Sequence, residues 1–432
     1  MILHPTYDIN EAGHLTVAGL DAVELAREFG TPVYLLDTDA VRAQCRLYRE
    51  AFREYFGESS LPAFAGKALC YKGLYSLVAE EGLLADCVSP GEIFTAKSAG
   101  FPMERVFFHG NNKTDDDLRF ALESGVGHIV VDGEDELFAL DRIAGEMGKN
   151  PRILLRITPG IDPHTHRKIS TGNVDSKFGM AIATGQAHAF VKEALGCASL
   201  TLDGFHCHVG SQIFDTEPFE DTCDIMLSFM AQIRADTGYE AEILNLGGGF
   251  GVRYTEEDPA VDYRDNIRRL GSEIDRMCAM HGVRKPTVIM EPGRSIVAAA
   301  GCTLYTCGTV KSIPGFRSYV SIDGGMPDNP RYTLYQSRYT VLNASHAADP
   351  ADFVCTVAGR CCESGDLIAE GISLAKPTRG DVIAVLVTGA YNYSMASHYN
   401  RIPKPPVVEL SGGKARVAVR RETYADLCAM DQ

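Results

Sequence analysis

The sequence predicts an α/β protein in which a TIM-like (β/α)8 barrel is followed by an all-β region. Two patterns along the 432 residues lead to this prediction. Short apolar runs alternate with helical stretches from residue 61 to residue 290, which is typical of a parallel sheet. After about residue 300, strand-like runs follow one another with Gly and Pro turns and little helix. The linker near Ser295–Gly301 is therefore the predicted boundary.

The N-terminal part predicts a helix, a strand and a second helix. The first helix covers Leu20–Gly30, and the strand covers Thr31–Leu36. Thr38 can cap a long amphipathic helix that reaches about Phe56, because its apolar residues recur at helical spacing. This second helix precedes the first predicted barrel strand.

Eight strands are predicted for the barrel, which is the number that closes a fold of roughly 250 residues. They are Leu61–Ala65, Leu83–Val88, Val106–Phe108, Ile129–Val131, Ile153–Ile157, Leu200–Val209, Ile243–Leu246 and Val288–Met290. No clear helix follows the eighth strand, so the helix from Thr38 would fill the vacant place in the outer ring. A doubly wound open sheet is the competing architecture.

The region after the barrel predicts short strands and a helical tail. The strand-like runs are Thr303–Ile313, Tyr319–Ile322, Phe353–Ala358, Val382–Thr388 and Ala415–Val419, and the tail is Glu422–Met430.

Composition excludes several classes of function. The net charge is −16, from 41 basic and 57 acidic residues, which argues against a nucleic-acid or anionic-membrane partner. No apolar run is long enough to span a bilayer, and the N-terminus does not resemble a secretory signal. The 13 cysteines include no Cys-x-x-Cys pair, which favours a reducing compartment and hence a cytoplasmic protein.

Polar residues or glycines stand at the C-terminal ends of nearly all the predicted strands, where barrel active sites lie. They are Lys67, Asp86 with Ser89, His109, Arg156, His206 with His208, Gly247–Gly249 and Glu291. A partly desolvated Lys67 can lose its proton and form a Schiff base with a carbonyl. Taken alone, such a lysine is more often a solvated surface residue.

The glycine run Gly247–Gly251 predicts a phosphate site, because backbone N–H groups can close around a phosphate there. Val252 stands where the dinucleotide fingerprint needs its third glycine, so a small phosphate ligand fits better. A simple tight turn is the alternative.

Two further strand ends leave alternatives open. His206 and His208 point to the same side of a strand, so they fit a metal site, a ring stacked on a flat cofactor, or hydrogen-bonded core histidines. Glu291 can stabilise a protonated ring nitrogen and Arg294 can bind a carboxylate or phosphate, unless the two form a surface ion pair. A Schiff-base lysine, a phosphate turn and this carboxylate together specify pyridoxal phosphate.

Motifs from about residue 60 to residue 400 then resemble the diaminopimelate decarboxylase family, of the alanine-racemase-like (fold type III) pyridoxal-phosphate decarboxylases. They are Phe64–Ala68, His109–Lys113, Ser170–Gly172, Ser176–Gly179, His206–Gln212, Asn245–Gly251, Glu291–Arg294, Asp323–Met326, Asn329–Arg331 with Tyr335, Cys362–Asp366 and Gly389–Tyr391.

The resemblance implies a barrel over residues 36–300 that binds pyridoxal 5'-phosphate. It also implies a β domain of residues 1–35 and 301–432, which takes in the N-terminal segment and contributes to a dimer interface and to the active site. The implied reaction converts meso-2,6-diaminopimelate to L-lysine and carbon dioxide, the last step of lysine biosynthesis. The implied assembly is a head-to-tail homodimer with shared active sites.

The resemblance also implies the site residues. Lys67 would carry the cofactor, His208 would stack on its ring, and Glu291 would pair with its nitrogen. The implied cofactor-binding residues are Lys67, His208, Ser211, Gly248, Gly249, Glu291, Pro292, Gly293, Arg294 and Tyr391. Lys67, His208 and Cys362, the implied proton donor, would be catalytic. The implied substrate contacts are Arg294, Arg331 and Tyr335 for the distal carboxylate, Glu363 for the distal amine, and Tyr391.

Two departures from the family pattern lie beside these residues. Arg360–Cys361 replaces a common Pro-Leu, and Asn392 replaces a usual glycine. A decarboxylase of another basic amino acid or polyamine precursor (the ornithine, arginine or carboxynorspermidine type) is the alternative, against which Arg331 and Tyr335 argue. A racemase, a metal-dependent barrel hydrolase and a non-catalytic cofactor-binding protein are further alternatives; the last would be expected to lose Lys67 or Cys362, and both are present. No metal is expected.

Overall fold

The structure is a computed structural model that describes residues 4–161 and 175–432. Its chain divides into two compact units. The barrel unit comprises Gln44–Gly251 and Val261–Gly293, and the sheet unit comprises Met1–Ala43, Val252–Ala260 and Arg294–Gln432. The predicted domain limits at residues 36 and 300 stay a prediction. The Ser170–Gly172 motif lies outside the described residues.

The sheet unit begins with a small antiparallel sheet of β1 (Tyr7–Ile9), β2 (Leu15–Val17) and β3 (Leu20–Asp21). Helix α1 (Ala22–Phe29) follows, and the Asp21 carboxylate caps it by accepting two backbone N–H groups of its first turn. The predicted helix started two residues earlier, because Leu20 and Asp21 instead pair with β2. Strand β4 (Val33–Asp37) and helix α2 (Thr38–Tyr55) come next.

The barrel unit contains a closed ring of eight parallel strands, with one extra strand beside it. The strands in chain order are β5 (Leu61–Ala65), β6 (Leu84–Cys87), β7 (Val106–Phe108), β8 (His128–Val131), β9 (Arg152–Thr158), the extra β10 (Met180–Ala181), β11 (Thr201–His206), β12 (Ile243–Asn245) and β13 (Thr287–Met290). The ring closes because β13 pairs with β5 and β8 pairs with β9. The predicted barrel is therefore confirmed, and the open sheet is wrong.

Helices cover the outside of the ring, as expected for parallel strands with two buried faces. They are α3 (Lys72–Glu80), α4 (Pro90–Ser98), α5 (Asp115–Ser124), α6 (Glu134–Met147), α7 (Gln186–Gly196), α8 (Glu217–Thr237) and α9 (Tyr263–His281). Tyr48 of α2 packs on Tyr263 of α9 with 5.7 Å between ring centroids. Arg46 of α2 pairs with Glu81, just after α3, at 2.8 Å. Helix α2 thus takes the predicted place in the outer ring.

Apolar side chains from six strands pack together inside the ring. They are Ala63, Phe107, Val130, Leu154, Ile243 and Ile289, all nearly inaccessible to solvent. This packed interior leaves the strand ends as the place for a ligand.

The sheet unit continues after a short helix α10 (Arg294–Val297). Its strands are β14 (Gly301–Ser312), β15 (Ser318–Ile322), β16 (Val341–Asn343), β17 (Phe353–Ala358), β18 (Leu367–Leu374), β19 (Val382–Leu386), β20 (Val407–Ser411) and β21 (Lys414–Val419). Two short helices, α11 (Arg331–Tyr335) and α12 (Tyr424–Cys428), accompany them. Strand β4 lies between β14 and β20, so the N-terminal segment contributes one strand to this sheet.

Within residues 4–161 and 175–432, no helix combines the length and the hydropathy needed to cross a membrane.

Candidate active site

A cavity of about 320 Å³ lies in the barrel unit, at the C-terminal ends of the strands. Its lining residues are Lys67, Asp86, Val88, His109, Gly110, Asn111, Arg156, Phe178, His206, His208 and Glu291. Six strands of the ring, β5, β6, β7, β9, β11 and β13, therefore bring their ends to one place, and Phe178, just before β10, completes the lining. The sequence had singled out seven of these residues from their positions at strand ends.

Glu291 is the buried carboxylate of this cavity. The Asn245 side-chain amide donates to it at 2.7 Å, and the Nε2 atoms of His109 and His206 lie 2.9 and 3.3 Å from its oxygens. Burial alone would raise the pKa of Glu291, but the two histidines hold it well below its ordinary value. Glu291 is therefore an ionised carboxylate at neutral pH.

The two histidines beside Glu291 differ in charge. Burial lowers the pKa of His206 to about 4, so its ring is neutral. Burial alone would also lower the pKa of His109. The nearby carboxylates of Asp86 and Glu291 outweigh this effect, so the pKa of His109 is raised. Asp86 Oδ1 lies 3.6 Å from His109 Nε2, and burial raises the pKa of Asp86. The cluster thus balances its acidic groups with one charged histidine and nearby Lys67.

Lys67 stands in a short 3-10 turn, Gly66–Ala68, immediately after β5. Its side chain is exposed, unlike the apolar strand before it. The Ala65 N–H donates to the Pro292 carbonyl at 3.3 Å, and a Cβ atom on Gly293 would lie 2.9 Å from the Ala65 methyl group. The segment after Glu291 therefore packs directly on the strand end that carries Lys67.

His208 follows β11 and lines the cavity beside Lys67. Its pKa lies well below the ordinary value, because it is buried and because the Lys67 charge opposes its protonation. A Cβ atom on Gly247 would come within 2.7 Å of the His208 ring nitrogen Nδ1. Glycine at position 247 therefore allows the neutral His208 ring to lie against the turn.

The glycine turn itself is fixed against Glu291. The Glu291 N–H donates to the Gly247 carbonyl at 2.9 Å, and a Cβ atom on Gly248 would meet the Glu291 carbonyl at 2.2 Å. Gly249 has φ +134°, which favours glycine. Ser211, half-buried, follows β11 in the same unit.

Two buried arginines form a second cluster, which lies in the sheet unit. Arg294 donates to the Tyr254 hydroxyl at 2.6 Å, and Arg331 donates to the Tyr339 hydroxyl at 2.8 Å. The Tyr391 ring lies 4.7 Å from the Arg294 guanidinium carbon and 5.9 Å from that of Arg331. Tyr335, half-buried, ends the short helix that Arg331 begins.

Cys362 and Glu363 lie on the exposed loop between β17 and β18 of the sheet unit. The Cys362 N–H donates to the Asn400 side-chain oxygen at 2.8 Å. The neighbouring Cys361 is less exposed, and burial together with Asp366 raises its pKa to about 12. Cys361 is therefore a weaker acid than an ordinary thiol and is poorly suited to donate a proton near neutral pH.

Among the described residues, one group has the geometry to hold a metal ion. It consists of His109, His206 and Glu291, whose ligand atoms lie within 4.8 Å of one another. His208, which the sequence paired with His206, is not part of it. Within this group, His109 and His206 both approach Glu291 closely enough to pair with it directly.

Sequence reasoning missed the residues that hold the predicted ones in place. Asn245, which binds Glu291, lies in the Asn245–Gly251 motif, but no pattern in the sequence assigns it this contact. Tyr254 and Tyr339, which bind the arginines, were not singled out at all. They stand in irregular chain segments, where no periodic pattern marks a residue. The one sequence signal that could have pointed to Tyr254 is its position shortly after the glycine run Gly247–Gly251.

Comparison with known proteins agrees with this geometry. Residues 38–298 match the family described as pyridoxal-dependent decarboxylase, pyridoxal binding domain. The diaminopimelate decarboxylase of Bacillus subtilis is 43% identical over 431 residues, covering 100% of this chain and 98% of that protein. The diaminopimelate decarboxylase of Halalkalibacterium halodurans is also 43% identical, with the same coverage.

A solved structure gives the same result. The diaminopimelate decarboxylase of M. jannaschii, in complex with L-lysine, superposes with a TM-score of 0.91 at 34% identity, covering 100% of this chain and 99% of that one. The resemblance seen in the sequence motifs is therefore confirmed over the full length. This chain belongs to the diaminopimelate decarboxylase family of pyridoxal-dependent decarboxylases.

Proposed function

We propose that this chain removes one carboxyl group from meso-2,6-diaminopimelate, giving L-lysine and carbon dioxide in the last step of lysine biosynthesis. The observation that carries this proposal is the buried pair Arg294 and Arg331, in a chain whose barrel cavity combines Lys67 with Glu291. Buried guanidiniums suit a substrate with a second carboxylate, because a site built for a charged group rejects analogues that lack it.

The cavity residues fit pyridoxal phosphate, the cofactor of this family. An amine, an ionised carboxylate and a glycine turn are present, and Asp86 Oδ1 is buried without a hydrogen-bond partner among the described residues. The cavity volume of about 320 Å³ falls in the range of small-molecule sites. When bound, the cofactor supplies an electron sink for the charge left as carbon dioxide departs.

The chain's own residues would bind the cofactor and keep its ring nitrogen protonated. The Lys67 amine would bind its carbonyl carbon, and the neutral His208 ring would stack on its face. Glu291, kept ionised by His109 and His206, would hold a proton on its ring nitrogen. The phosphate contacts would come from Ser211, the Gly247–Gly249 turn and the backbone at Gly293 and Arg294. Pro292, Gly248, Gly249 and Tyr391 complete the proposed cofactor-binding residues.

Other residues would select the substrate and complete the reaction. Arg294, Arg331 and Tyr335 would bind the distal carboxylate, and Glu363 the distal amine. Cys362 would deliver a proton to the carbon that has lost its carboxyl group, as a thiol can do near neutral pH. Its exposed position on a loop supports access to a ligand.

We infer a head-to-tail homodimer in which Cys362 and Glu363 of one protomer enter the site of the other. Their exposure on the β17–β18 loop supports this arrangement. Mixing inactive Lys67→Ala and Cys362→Ala variants should restore part of the activity, because a mixed dimer holds one intact site. Two variants that stay inactive after subunit exchange would contradict shared sites. The cytoplasm is the proposed location, supported by thirteen free thiols.

The proposed function is tested by turnover of purified, cofactor-loaded protein. meso-Diaminopimelate, ornithine, arginine and L-lysine are supplied separately, and carbon dioxide and the amine product are measured. We expect lysine from diaminopimelate and no comparable turnover of the other three. Faster turnover of ornithine or arginine would move the function to another basic amino acid.

A further inference from the structure

The arginine cluster of the sheet unit is organised around a tyrosine that the proposed function does not use. Tyr254 is 5% exposed, and its hydroxyl accepts a hydrogen bond from Arg294 at 2.6 Å. The Arg331 guanidinium carbon lies 5.1 Å from the centre of the Tyr254 ring, and that of Arg294 lies 5.8 Å from it. One aromatic residue therefore contacts both guanidinium groups.

Tyr254 is itself held firmly in place. Its backbone N–H donates to the Asp258 carboxylate at 2.9 Å, and its carbonyl accepts from the Thr340 hydroxyl at 2.8 Å. Its ring meets the Tyr339 ring edge-on, with centroids 5.4 Å apart and planes at 90°. The hydroxyl that Arg294 binds is therefore fixed relative to the sheet unit.

Tyr339 extends the same arrangement to Arg331. Its hydroxyl accepts from Arg331 at 2.8 Å and lies 3.4 Å from the side-chain amide of Asn392. Asn392 is fully buried and also donates to the Thr388 carbonyl at 3.1 Å. Each arginine thus donates to the hydroxyl of one tyrosine, and both guanidinium groups lie near the ring of Tyr254.

Two buried positive charges close to one phenol need compensation. Among the described residues, no carboxylate lies within 4 Å of the Arg331 guanidinium, so phenol oxygens and ring faces take that role. Burial would raise the pKa of Tyr254, yet the charges of Arg294 and Arg331 outweigh it and lower the pKa. The Tyr254 oxygen is thus strongly coupled to both guanidiniums.

We infer that Tyr254 is a positioning residue that holds Arg294 and Arg331 as one receptor for the distal carboxylate, and so sets the preference for ligands that carry it. This inference rests on the proposed function, because it names what fixes the carboxylate-binding arginines. Tyr254 contacts the arginines and has no assigned contact with the substrate, so its loss should weaken carboxylate recognition more than the chemical step.

The test replaces Tyr254 by phenylalanine, which removes the hydroxyl and keeps the ring. Tyr34→Phe is the matched control, because Tyr34 is equally buried in the sheet unit but donates to the Asp328 carbonyl instead of accepting from an arginine. The ligands are L-lysine and cadaverine, which differ only by the carboxylate. Their competitive inhibition constants are measured on cofactor-loaded enzyme, together with KM and kcat for meso-diaminopimelate.

We expect Tyr254→Phe to raise KM and the L-lysine inhibition constant by about tenfold, since a hydrogen bond to a charged group is lost. The cadaverine constant should stay within about twofold and kcat should change less than KM. Tyr34→Phe should leave the preference for L-lysine over cadaverine unchanged. An unchanged preference in Tyr254→Phe, or an equal loss for both ligands, would overturn the inference.

A second variant covers the case in which Tyr254→Phe does not fold. Tyr339→Phe removes the hydroxyl acceptor of Arg331 and should shift the preference in the same direction. If Tyr254→Phe is unfolded and Tyr339→Phe leaves the preference unchanged, the inference is rejected. A wild-type enzyme that does not act on meso-diaminopimelate would instead reject the proposed function, whatever the variants do.

Discussion

The carboxylate cluster of the barrel cavity and the arginine cluster of the sheet unit balance their buried charge in different ways. In the cavity, Glu291 is matched by His109 and by the Asn245 amide, so the charge is compensated by the chain itself. In the sheet unit, Arg331 contacts phenol oxygens and aromatic rings. Phenols compensate a guanidinium less completely than a carboxylate does.

This difference separates two tasks. A compensated carboxylate keeps one protonation state and can tune a bound group without being altered by it. An arginine whose acceptors are neutral hydroxyls keeps a strong attraction for an incoming anion. We therefore expect changes at Glu291 to affect the cofactor and the rate, and changes at Arg331 to affect substrate choice.

The largest effect should come from Glu291→Gln, which keeps the shape of the side chain and removes its charge. The proposed role of Glu291 is to stabilise the proton on the cofactor nitrogen, so its loss should lower kcat by roughly 10²- to 10³-fold. The preference for L-lysine over cadaverine should remain. Glu81→Gln, at the outer helices, is the control and should leave kcat near the wild-type value. A Glu291→Gln variant that keeps a normal kcat but loses the preference for L-lysine over cadaverine would contradict the separation of tasks between the two clusters.

Arg331→Lys should have the next largest effect, on KM. Lysine keeps the charge but lacks the planar fork, so KM for meso-diaminopimelate should rise about 10- to 100-fold while the cofactor absorption band stays unchanged. Arg338→Lys, an exposed arginine paired with Glu257, should leave KM unaltered. A band that weakens in Arg331→Lys would show that the two clusters do not have separate tasks.

The pair His109 and Glu291 should make stability depend on pH. Because the folded pKa of His109 is raised, its contribution is complete below the ordinary histidine value of about 6.5 and is lost as the pH rises through the raised value. Urea unfolding at pH 6 and pH 9 should therefore show a smaller loss of stability in His109→Gln than in the wild type. His188→Gln, on α7, serves as the control. Equal losses in wild type and His109→Gln would argue against a charged His109.

The smallest effect should come from Asn392→Gly, which restores the glycine usual in the family. Its bond to Tyr339 is long, at 3.4 Å, so KM should rise only about two- to threefold. In a double-mutant cycle with Tyr339→Phe, the two effects should not add, because they act on one contact. Fully additive effects would mean that Asn392 acts elsewhere.

The barrel was predictable because parallel strands buried on both faces read as apolar runs. Leu61–Ala65 and Val106–Phe108 match β5 and β7 residue for residue. The run Leu200–Val209 was too long, because Cys207 and Val209 are buried in the loop after β11 and continue the apolar pattern. Helix α10 was missed since it has only four residues.

The sheet unit was less readable from sequence. Strand β18 was missed because it is interrupted by Glu370 and by Gly371, which has φ +63°. Strand β20 was missed because it directly follows two prolines, which are typical of a turn. The tail helix is shorter than predicted, at Tyr424–Cys428.

The residues of the candidate site also divide into those that the sequence could predict and those that it could not. Residues at strand ends, such as Lys67 and Glu291, could be found because the barrel topology assigns such positions to the site. Their supporting partners could not, because Asn245 or Tyr254 becomes relevant only through contacts over 40 or more residues of chain. Such contacts depend on the folded structure and leave no local pattern.

The most direct test of this account is the visible absorption spectrum of the purified protein, recorded for the wild type and for Lys67→Ala before and after addition of meso-diaminopimelate. We expect a cofactor band in the wild type that changes on adding the substrate, with release of L-lysine and carbon dioxide. The Lys67→Ala variant should lose this band and at least roughly 10³-fold of the activity. A wild-type protein that shows no band after incubation with pyridoxal phosphate, or a Lys67→Ala variant that keeps both band and turnover, would contradict the account.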